Sequence, residues 1–446
     1  MPWLLNFAYM AVVLAAAPVL LWQRVVRGKR RPGLWKKLTG RLARRTGDDR
    51  LVWFHAVSVG EVLQLEPMIA ECQRLWPSLQ ILVTTTTATG HRLACERFAD
   101  CRVDWFPLDF SWAVHRALRR VRPDLVVLVE LELWPNFILA AHRKGIPLAL
   151  VNGRVSESSF AGYRRLRWLF SRLLNRFDQL VAQNTIYAER LEELGGVPQH
   201  IQVSGSIKYD RIETRRDNPA TQDLATSLGI AQRSPVFVAG STQDPEERLA
   251  IEAWAIARQT HPDLRLVLVP RHPERFDEVA ETVVSMGHSL LRRSRITGQT
   301  VPRTDEPVVL LDTVGELAAC WGLADVAFVG GSLTNRGGQN MIEPAAYGAA
   351  VLFGPNTQNF QDVVDELLER GGARVVADGS SLATRLVELL DDPTTAAALG
   401  EAARRLVLSR QGATETTLGV LNELLPEDIR LETTGSTEAA PTADAA

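Results

Sequence analysis

The sequence lacks the short motifs that identify two large classes of nucleotide-binding enzymes. No G-x-G-x-x-G segment opens a helix after a predicted strand, and no P-loop is present. These absences argue against a Rossmann dehydrogenase and against a P-loop nucleotide hydrolase. No D-x-D occurs, and no two of the eight histidines lie three or four residues apart. We therefore expect no metal site and no other cofactor, and we expect no nucleic-acid partner.

Cysteine is also scarce. The four cysteines, at positions 72, 95, 101 and 320, form no C-x-x-C pair, and three of them fall in one region. This pattern fits neither a disulfide framework nor a zinc site. It indicates reduced, buried thiols in a cytosolic compartment.

Charge is distributed unevenly along the 446 residues. The net charge is only −2, yet residues 1–50 contain 11 Lys and Arg against 2 Asp and Glu. Such asymmetry indicates a special role for the N-terminus. The length predicts two or three domains, and a hydrophobic fraction of 46% is enough for a sizeable core.

Residues 3–22 contain no charged side chain, and a basic cluster follows them. Twenty apolar residues are enough to cross a hydrocarbon core of ~30 Å as a helix. Positive charges after the segment predict an outer N-terminus and a cytoplasmic body. The alternative is a helix that lies at the membrane surface with the basic stretch on anionic lipid, and Pro18 favours it. We assign residues 1–23 to a membrane anchor and 24–50 to a basic juxtamembrane segment.

Short apolar runs then alternate with helical stretches, which is typical of βαβ units around a buried parallel sheet. The first series of predicted strands lies at 52–57, 80–87, 103–108, 124–130, 147–153 and 179–184. A second series lies at 235–241, 264–270, 307–312, 324–332 and 350–355. The basic, apolar stretch 162–177 is predicted to be one amphipathic helix, and the helix near 394–424 either closes the second half or returns to the first.

The predicted fold class is therefore α/β, with two doubly wound Rossmann-like domains that face a central cleft and an N-terminal anchor helix. The N-terminal domain is assigned to 51–210 and the C-terminal domain to 235–425. The polar stretch 211–234 is interpreted as a linker. Residues 426–446 are interpreted as a disordered tail, because they are polar and rich in Ala and Thr.

The segment HAVSVGE, residues 55–61, joins a predicted strand to a predicted helix. In open parallel sheets, sites form beyond the carboxyl ends of the strands. Glu61 is therefore placed as a catalytic carboxylate. An alternative remains open, because Ser58 and Glu61 also have the spacing of a capping box that only closes the helix end.

Two further glutamates, Glu130 and Glu132, follow the predicted strand at 124–130. Residues i and i+2 of a strand point to the same side. Two carboxylates side by side raise the pKa of one of them and prepare a general base. The alternatives are a solvated strand end and a salt bridge to Arg154.

Three loops of the second half are predicted to meet at one sheet edge. Arg271 and His272 follow one strand and suit a phosphate. The loop with Gly315 follows the next strand. The third loop is rich in glycine, which lets a backbone approach a ligand closely, and it contains Gly330, Gly331, Ser332, Asn340 and Glu343.

Several motifs resemble, in order, those of the 3-deoxy-D-manno-octulosonic acid (Kdo) transferases. They are HAVSVGE (55–61), TTTTATG (84–90), VELELWPN (129–136), VNGRVSESS (151–159), SGSIKYD (204–210), VPRHPERF (269–276) and GGQNMIEPAAYG (337–348). The resemblance covers about residues 1–425. It implies a GT-B glycosyltransferase that takes Kdo from CMP-Kdo, inverts the transferred carbon, uses a lipid A precursor as acceptor, and works at the inner membrane in lipopolysaccharide core biosynthesis.

The resemblance also implies roles for individual residues. Glu61 is the expected general base, with Glu130 before Glu132 as a second functional carboxylate. Arg271, the Gly315 loop, Asn340 and Glu343 are the expected contacts to CMP. For the departing phosphate we expect Arg271, His272 or Lys208, and for the acceptor we expect Ser58, Gly60 and Arg154.

This chain departs from the family pattern at three positions. Gln339 replaces a usual His, Ser158 replaces a usual Arg, and Ser206 stands where Asn is usual. The alternatives are a GT-B transferase or epimerase that uses another nucleotide sugar, and a membrane-tethered binding protein that has lost catalysis. The apolar residues 3–22 argue against a soluble epimerase, and the retained glutamates argue against lost catalysis.

Overall fold

The structure is a computed structural model that describes residues 2–26, 32–230, 234–296 and 308–431. The chain divides into two compact units. The first unit contains residues 1–211 and 411–446, and the second contains residues 212–410.

The first unit is built on a seven-stranded parallel sheet in the order β3-β2-β1-β4-β5-β6-β7. Its strands are short apolar runs whose side chains are mostly buried, as expected for a sheet covered on both faces. They are β1 (Leu51–His55), β2 (Gln80–Thr85), β3 (Arg102–Trp105), β4 (Leu125–Val129), β5 (Leu148–Gly153), β6 (Gln179–Ala182) and β7 (Ile201–Val203).

The second unit repeats this plan with the order β10-β11-β9-β8-β12-β13-β14, again parallel throughout. Its strands are β8 (Val236–Thr242), β9 (Arg265–Pro270), β10 (Leu290–Arg292), β11 (Val308–Leu310), β12 (Val326–Val329), β13 (Ala350–Phe353) and β14 (Ala373–Val375). The expectation of two parallel α/β domains is confirmed.

Helices connect the strands of each sheet. Those of the first unit are α1 (Pro2–Val25), α2 (Leu34–Thr39), α3 (Val59–Leu75), α4 (Ala88–Arg97), α5 (Ser111–Val121), α6 (Pro135–Arg143), α7 (Glu157–Arg165), α8 (Arg167–Leu174), α9 (Thr185–Glu193) and α18 (Ala413–Leu424). Those of the second are α10 (Pro219–Leu228), α11 (Glu246–Ala257), α12 (Phe276–Ser285), α13 (Leu317–Trp321), α14 (Ile342–Ala346), α15 (Gln361–Glu369), α16 (Gly379–Asp391) and α17 (Pro393–Ser409). Short 3-10 helices lie at Pro198–His200, Ile207–Tyr209, Pro273–Arg275, Arg293–Arg295, Gln358–Phe360 and Glu427–Ile429.

The structure assigns the end of the chain differently from the boundary drawn at 425. Helix α18 returns to the first unit, where Ala413, Leu418 and Leu421 join the apolar cluster around β1 and α3. Asp210 accepts hydrogen bonds from the backbone N–H groups of Gly412 and Thr414 at 2.8 and 2.6 Å, which fastens the start of α18. Of the two fates left open for this helix, return to the first half is the one observed.

Three other boundaries also differ from those expected. The predicted linker contains the helix α10, which packs on α13. Thr221 of α10 donates a hydrogen bond to the Ala319 carbonyl of α13 at 3.1 Å. The predicted helix at 162–177 is interrupted at Leu166, so that α7 and α8 are separate. Of the predicted tail, residues 426–431 are ordered on the first unit through Arg50 and Asp428, while 432–446 lie outside the described residues.

The cysteines are free thiols, as expected, but Cys95 is exposed rather than buried. Helix α1 covers most of the predicted anchor. Within the part of the chain that the structure describes, no helix is both long and apolar enough to cross a membrane. A membrane anchor therefore stays a prediction, and residues 27–31, which hold four members of the basic cluster that follows α1, lie outside the described residues.

Candidate active site

Three glutamates of the first unit gather at the carboxyl edge of its sheet. Strands β1 and β4 are neighbours, and His55 at the end of β1 pairs with Leu128 near the end of β4. Because both strands end at the same edge, Glu61 at the start of α3 lies beside Glu130 and Glu132. The charge of Glu130 contributes to the raised pKa of Glu61, and the charges of Glu61 and Glu130 contribute to the raised pKa of Glu132, although burial is the larger cause for both.

Glu61 forms the predicted capping box with Ser58, the N-cap residue of α3. Its carboxylate accepts hydrogen bonds from the N–H groups of Val57 (2.8 Å) and Ser58 (3.2 Å) and from Ser58 Oγ (2.7 Å). The side chain is buried, and this burial raises the pKa of Glu61 although the hydrogen bonds oppose the shift. The capping role is confirmed, and one oxygen, Oε2, accepts only one of the three bonds.

Glu130 and Asn152 end neighbouring strands in the left-handed backbone region, with φ of 59° and 53°. Non-glycine residues rarely adopt this conformation, and it is found at sites where the surroundings impose it. Gln64 joins the two side chains, because its Nε2 donates to Glu130 at 3.3 Å and its Oε1 accepts from Asn152 Nδ2 at 2.6 Å. Sequence reasoning missed Gln64, although it lies one turn after Glu61 on the same helix.

Glu132 lies in the turn before α6 and is partly buried. Burial first, and then the charges of Glu61 and Glu130, raise the pKa of Glu132 to about 7. The predicted effect of paired carboxylates thus falls on Glu132. A carboxylate with this pKa exchanges its proton readily at neutral pH.

The floor beneath the acidic cluster is aromatic. His55 is fully buried and stacks on Phe106, with ring centroids 3.6 Å apart, while Trp134 lies 5.6 Å from Phe106. Burial lowers the pKa of His55 to about 3, so its imidazole stays neutral. His55 therefore belongs to the core.

The residues expected to contact the acceptor lie at the same edge. Ser58 is already bonded to Glu61, and Gly60 is exposed, with space around its Cα for a methyl group. Arg154 follows β5 directly and is exposed. Lys208 also belongs to this unit, and its ammonium lies 5.1 Å from the Tyr209 ring.

In the second unit, the predicted donor residues follow β9 and β12. Arg271 Nε donates to Gln339 Oε1 at 3.1 Å, which joins two of the predicted loops. Asn340 Nδ2 donates to Glu343 Oε1 at 3.0 Å and so fixes the carboxylate at the start of α14. Arg271 is exposed.

The glycine-rich loop itself is held from behind by Glu246. This fully buried glutamate accepts hydrogen bonds from the N–H groups of Gln243 (2.9 Å), Gly331 (2.7 Å), Ser332 (3.0 Å) and Leu333 (2.9 Å). A run of backbone N–H groups is a typical anion-binding concavity. Here the anion is the protein's own carboxylate.

The first glycines of this loop have a structural role, because Glu246 accepts the hydrogen bonds of its backbone. The N–H groups of Gly331 and Ser332 are bonded inside the protein, and a Cβ at Gly330 would lie 2.5 Å from the Thr242 Cα. Ser332 is buried, donates to the Val329 carbonyl and accepts from Gly354. Gly330, Gly331 and Ser332 therefore determine the shape of the loop. The polar side chains that are only partly buried, those of Asn340 and Glu343, belong to its later part.

His272 and Gly315, which were also predicted to bind the donor, lie outside the hydrogen-bonded pairs of Arg271 and Glu343. His272 is half exposed, and its Nδ1 lies 3.7 Å from Glu274. Gly315 has a φ of 97° and open space around it, in an exposed loop after β11. In residues 234–296 and 308–431, neither is bonded to Arg271 or Glu343.

No group of three or more His, Cys, Asp or Glu side chains in the described residues has the arrangement of a metal site.

Comparisons with known proteins agree on one family. Residues 29–211 match the family model described as 3-deoxy-D-manno-octulosonic-acid transferase (kdotransferase). A 3-deoxy-D-manno-octulosonic acid transferase of Haemophilus influenzae is 32% identical over 380 residues, which cover 85% of this chain and 88% of the relative. One of Bordetella pertussis is 36% identical over 388 residues, with coverages of 84% and 87%.

The fold also has solved counterparts. The UDP-GlcNAc 2-epimerase from Neisseria meningitidis bound to UDP-GlcNAc superposes with a TM-score of 0.58 at 13% identity, covering 84% of this chain and 99% of the epimerase. A glycosyltransferase from Rickettsia africae superposes with a TM-score of 0.52 at 13% identity, covering 85% and 99%. At this identity the likeness concerns the fold alone, and it is consistent with the GT-B type.

Proposed function

Because this chain belongs to the Kdo transferase family and is therefore a glycosyltransferase, we propose that it transfers Kdo from CMP-Kdo to a lipid A precursor such as lipid IVA, with inversion, at the cytoplasmic face of the inner membrane. Relatives that bear this name match more than four fifths of the chain. The observation that carries the mechanistic part is the cluster of Glu61, Glu130 and Glu132 at one sheet edge.

Glu61 acts as the general base in this proposal. An acceptor hydroxyl is a poor nucleophile at neutral pH, and a carboxylate within ~3 Å can take its proton as the new bond forms. Burial makes Glu61 more basic. Its Oε2 accepts one hydrogen bond, from Val57, and a carboxylate oxygen has lone pairs for a second. The hydrogen bonds of the capping box hold this oxygen in one orientation, so the cap and the base are two roles of one side chain.

Glu132 is the glutamate of the acidic cluster that holds a proton in this proposal. Three carboxylates at one edge repel one another, and a proton on Glu132 relieves that repulsion. With a pKa of about 7, Glu132 is partly protonated at neutral pH. Gln64 donates a hydrogen bond to Glu130 and so holds this carboxylate in position.

The donor is assigned to the second unit. The departing CMP carries negative charge on its phosphate, and the exposed guanidinium of Arg271 is placed to neutralise it. Glu343, held by Asn340, offers a carboxylate to ribose hydroxyls. His272 and the Gly315 loop complete the proposed donor contacts of this unit, with Gly330, Gly331 and Ser332 as the framework of the glycine-rich loop. Lys208 belongs to the first unit, and its expected role at the departing phosphate stays a prediction. No step of the reaction is assigned to a metal.

The acceptor is assigned to the first unit, where Ser58, Gly60 and Arg154 surround the acidic edge. Arg154 is an exposed cation and suits the phosphate of a lipid A precursor. Membrane association is proposed to bring the enzyme to this lipid. It is supported by the exposed apolar side chains of α1 and by the basic residues that follow it in the sequence.

A donor panel tests this proposal. The purified full chain would be mixed with lipid IVA and, in separate reactions, with CMP-Kdo generated in place, UDP-GlcNAc and other nucleotide sugars, and the product masses would be measured. The expected result is addition of Kdo from CMP-Kdo alone, and the product mass also gives the number of sugars added. Transfer from another donor, or epimerisation of UDP-GlcNAc by a folded protein, would overturn it.

A further inference from the structure

Helix α1 is held against the first unit by the polar side chains of its first turns. Between residues 4 and 21, only Asn6 and Tyr9 carry a side-chain nitrogen or oxygen. Asn6 Nδ2 donates to Ser111 Oγ at 2.7 Å, and its Oδ1 accepts from the Ser111 N–H at 3.0 Å. Tyr9 donates to Asp109 at 3.0 Å. We name these contacts of Asn6 and Tyr9 the α1 latch.

The α1 latch lies beside the acidic edge. Asp109 also accepts hydrogen bonds from the N–H groups of Asn136 (2.9 Å) and Phe137 (2.8 Å), which open α6 four residues after Glu132. Asn136 Nδ2 in turn reaches Asn6 Oδ1 at 3.3 Å. The first turns of α1 are therefore bonded to the same helix start that follows the catalytic turn.

The chain returns to nearly the same place after α1. Trp112, the residue after Ser111, donates from Nε1 to the Leu38 carbonyl of α2 at 3.0 Å. Positions 6 and 38 are thus held by two consecutive residues, whose Cα atoms are ~3.8 Å apart. A spanning α1 would place these positions on opposite sides of a hydrocarbon core of ~30 Å. The two arrangements exclude each other.

The exposed side chains of α1 are apolar, and they are not confined to one side of the helix. Trp3, Phe7, Met10 and Leu14 recur at the spacing of one helix face, and their exposed fractions are 84%, 77%, 40% and 64%. Trp35 and Trp112 near the same attachment are also exposed. An apolar helix face flanked by indole rings and followed by a basic sequence matches the surface of an anionic bilayer.

We propose that α1 does not cross the membrane but lies in its surface, with the α1 latch clamped to the catalytic unit and the Trp3–Phe7–Met10–Leu14 face in the lipid. This inference rests on the membrane association proposed above and specifies its geometry. It places both ends of α1 on the side of the catalytic unit. It also brings the acidic edge to the depth at which a lipid-bound acceptor presents its sugar.

The sidedness of the N-terminus tests this geometry without any catalysis. Full-length protein with a protease-cleavable tag at each end would be reconstituted into vesicles of phosphatidylethanolamine and phosphatidylglycerol. In vesicles whose C-terminal tag is cleaved from outside, the N-terminal tag is expected to be cleaved equally. An N-terminal tag that is protected until detergent is added would overturn the inference, while leaving Kdo transfer to be judged by the donor panel.

A double variant tests the α1 latch itself. Asn6→Leu with Tyr9→Leu leaves residues 4–21 without a polar group, so the freed helix is expected to cross the bilayer in part and to protect its N-terminal tag. Phe7→Leu, on the exposed face, is the matched control and is expected to behave as the parent. A photo-crosslinker at position 9 should capture residues 109–112 in vesicles, and capture of lipid alone would contradict the α1 latch.

Discussion

Gln64 Nε2 donates to Glu130 Oε1 at 3.3 Å, while Gln64 Oε1 accepts from Asn152 at 2.6 Å. One amide thus ties together two strand ends whose backbones are both in the left-handed region. Through these two hydrogen bonds, Gln64 fixes the position of Glu130 relative to Asn152.

Replacement of Gln64 by Leu is expected to lower kcat/KM at pH 7 by about 3- to 10-fold, in line with the loss of one hydrogen bond to a charged group. The measurement is the pH–rate profile of kcat/KM for the parent and the variant. Gln73→Leu, on the exposed side of the same helix, is the matched control. An unchanged profile in the Gln64 variant would remove Gln64 from the site.

Glu132→Gln is expected to change the pH dependence of stability. The folded-state pKa of Glu132 is raised to about 7, above its ordinary value, so the folded protein keeps a proton that the unfolded chain has released. The free energy of unfolding therefore falls as pH rises through this window. The variant carries no such proton and should be more stable than the parent at pH 8 by on the order of 1–3 kcal/mol.

At pH 4, Glu132 is neutral in both folded and unfolded protein, so the expected advantage of the Glu132 variant disappears. Urea unfolding at pH 4 and pH 8 provides the comparison, with the exposed Glu157→Gln as control. Equal effects of the two variants at both pH values would show that Glu132 carries no unusual proton.

Glu246→Gln is expected to destabilise the second unit and weaken binding of CMP. The amide offers one oxygen to four backbone N–H groups and turns its NH2 toward two of them. Hydrogen bonds to charged groups contribute roughly 1.5–3 kcal/mol each, so a loss of about 2–4 kcal/mol is expected. Thermal unfolding and calorimetric titration with CMP measure the two effects.

Glu281→Gln on the exposed side of α12 is the control for the Glu246 variant. If Glu246→Gln unfolds at the parental temperature and binds CMP with parental affinity, the glycine-rich loop does not depend on this carboxylate.

The sequence predicted the central parts of both sheets, because their strands are buried apolar runs. It missed β7, β10 and β14, which are three residues long and lie at sheet edges, where one side needs no partner and the apolar pattern is weak. It identified Glu61, Glu130 and Glu132 from their places after strands. Gln64 and Glu246 were missed, since contacts between elements far apart in sequence define them.

The path of the chain at its two ends could not be read from the pattern either. An amphipathic helix such as α18 shows which face is buried but not against which unit it packs. In α1, Asn6 and Tyr9 look like minor polar interruptions of an apolar run, and only Asp109 and Ser111, some hundred residues away, give them a role.

The most direct test of the central claim compares Glu61→Gln with Ser58→Ala. Both changes disturb the cap of α3, and loss of a cap lowers the free energy of unfolding by about 0.5–2 kcal/mol. If Glu61 is the general base, the Glu61 variant should also lose about 10²- to 10⁴-fold in the rate of Kdo transfer from CMP-Kdo to lipid IVA, while it remains folded. Ser58→Ala removes a hydrogen bond to Glu61 and an expected acceptor contact but keeps the carboxylate, so its loss of rate should be much smaller. A folded Glu61→Gln variant that transfers Kdo at the parental rate would contradict the account and leave Glu61 as a cap alone.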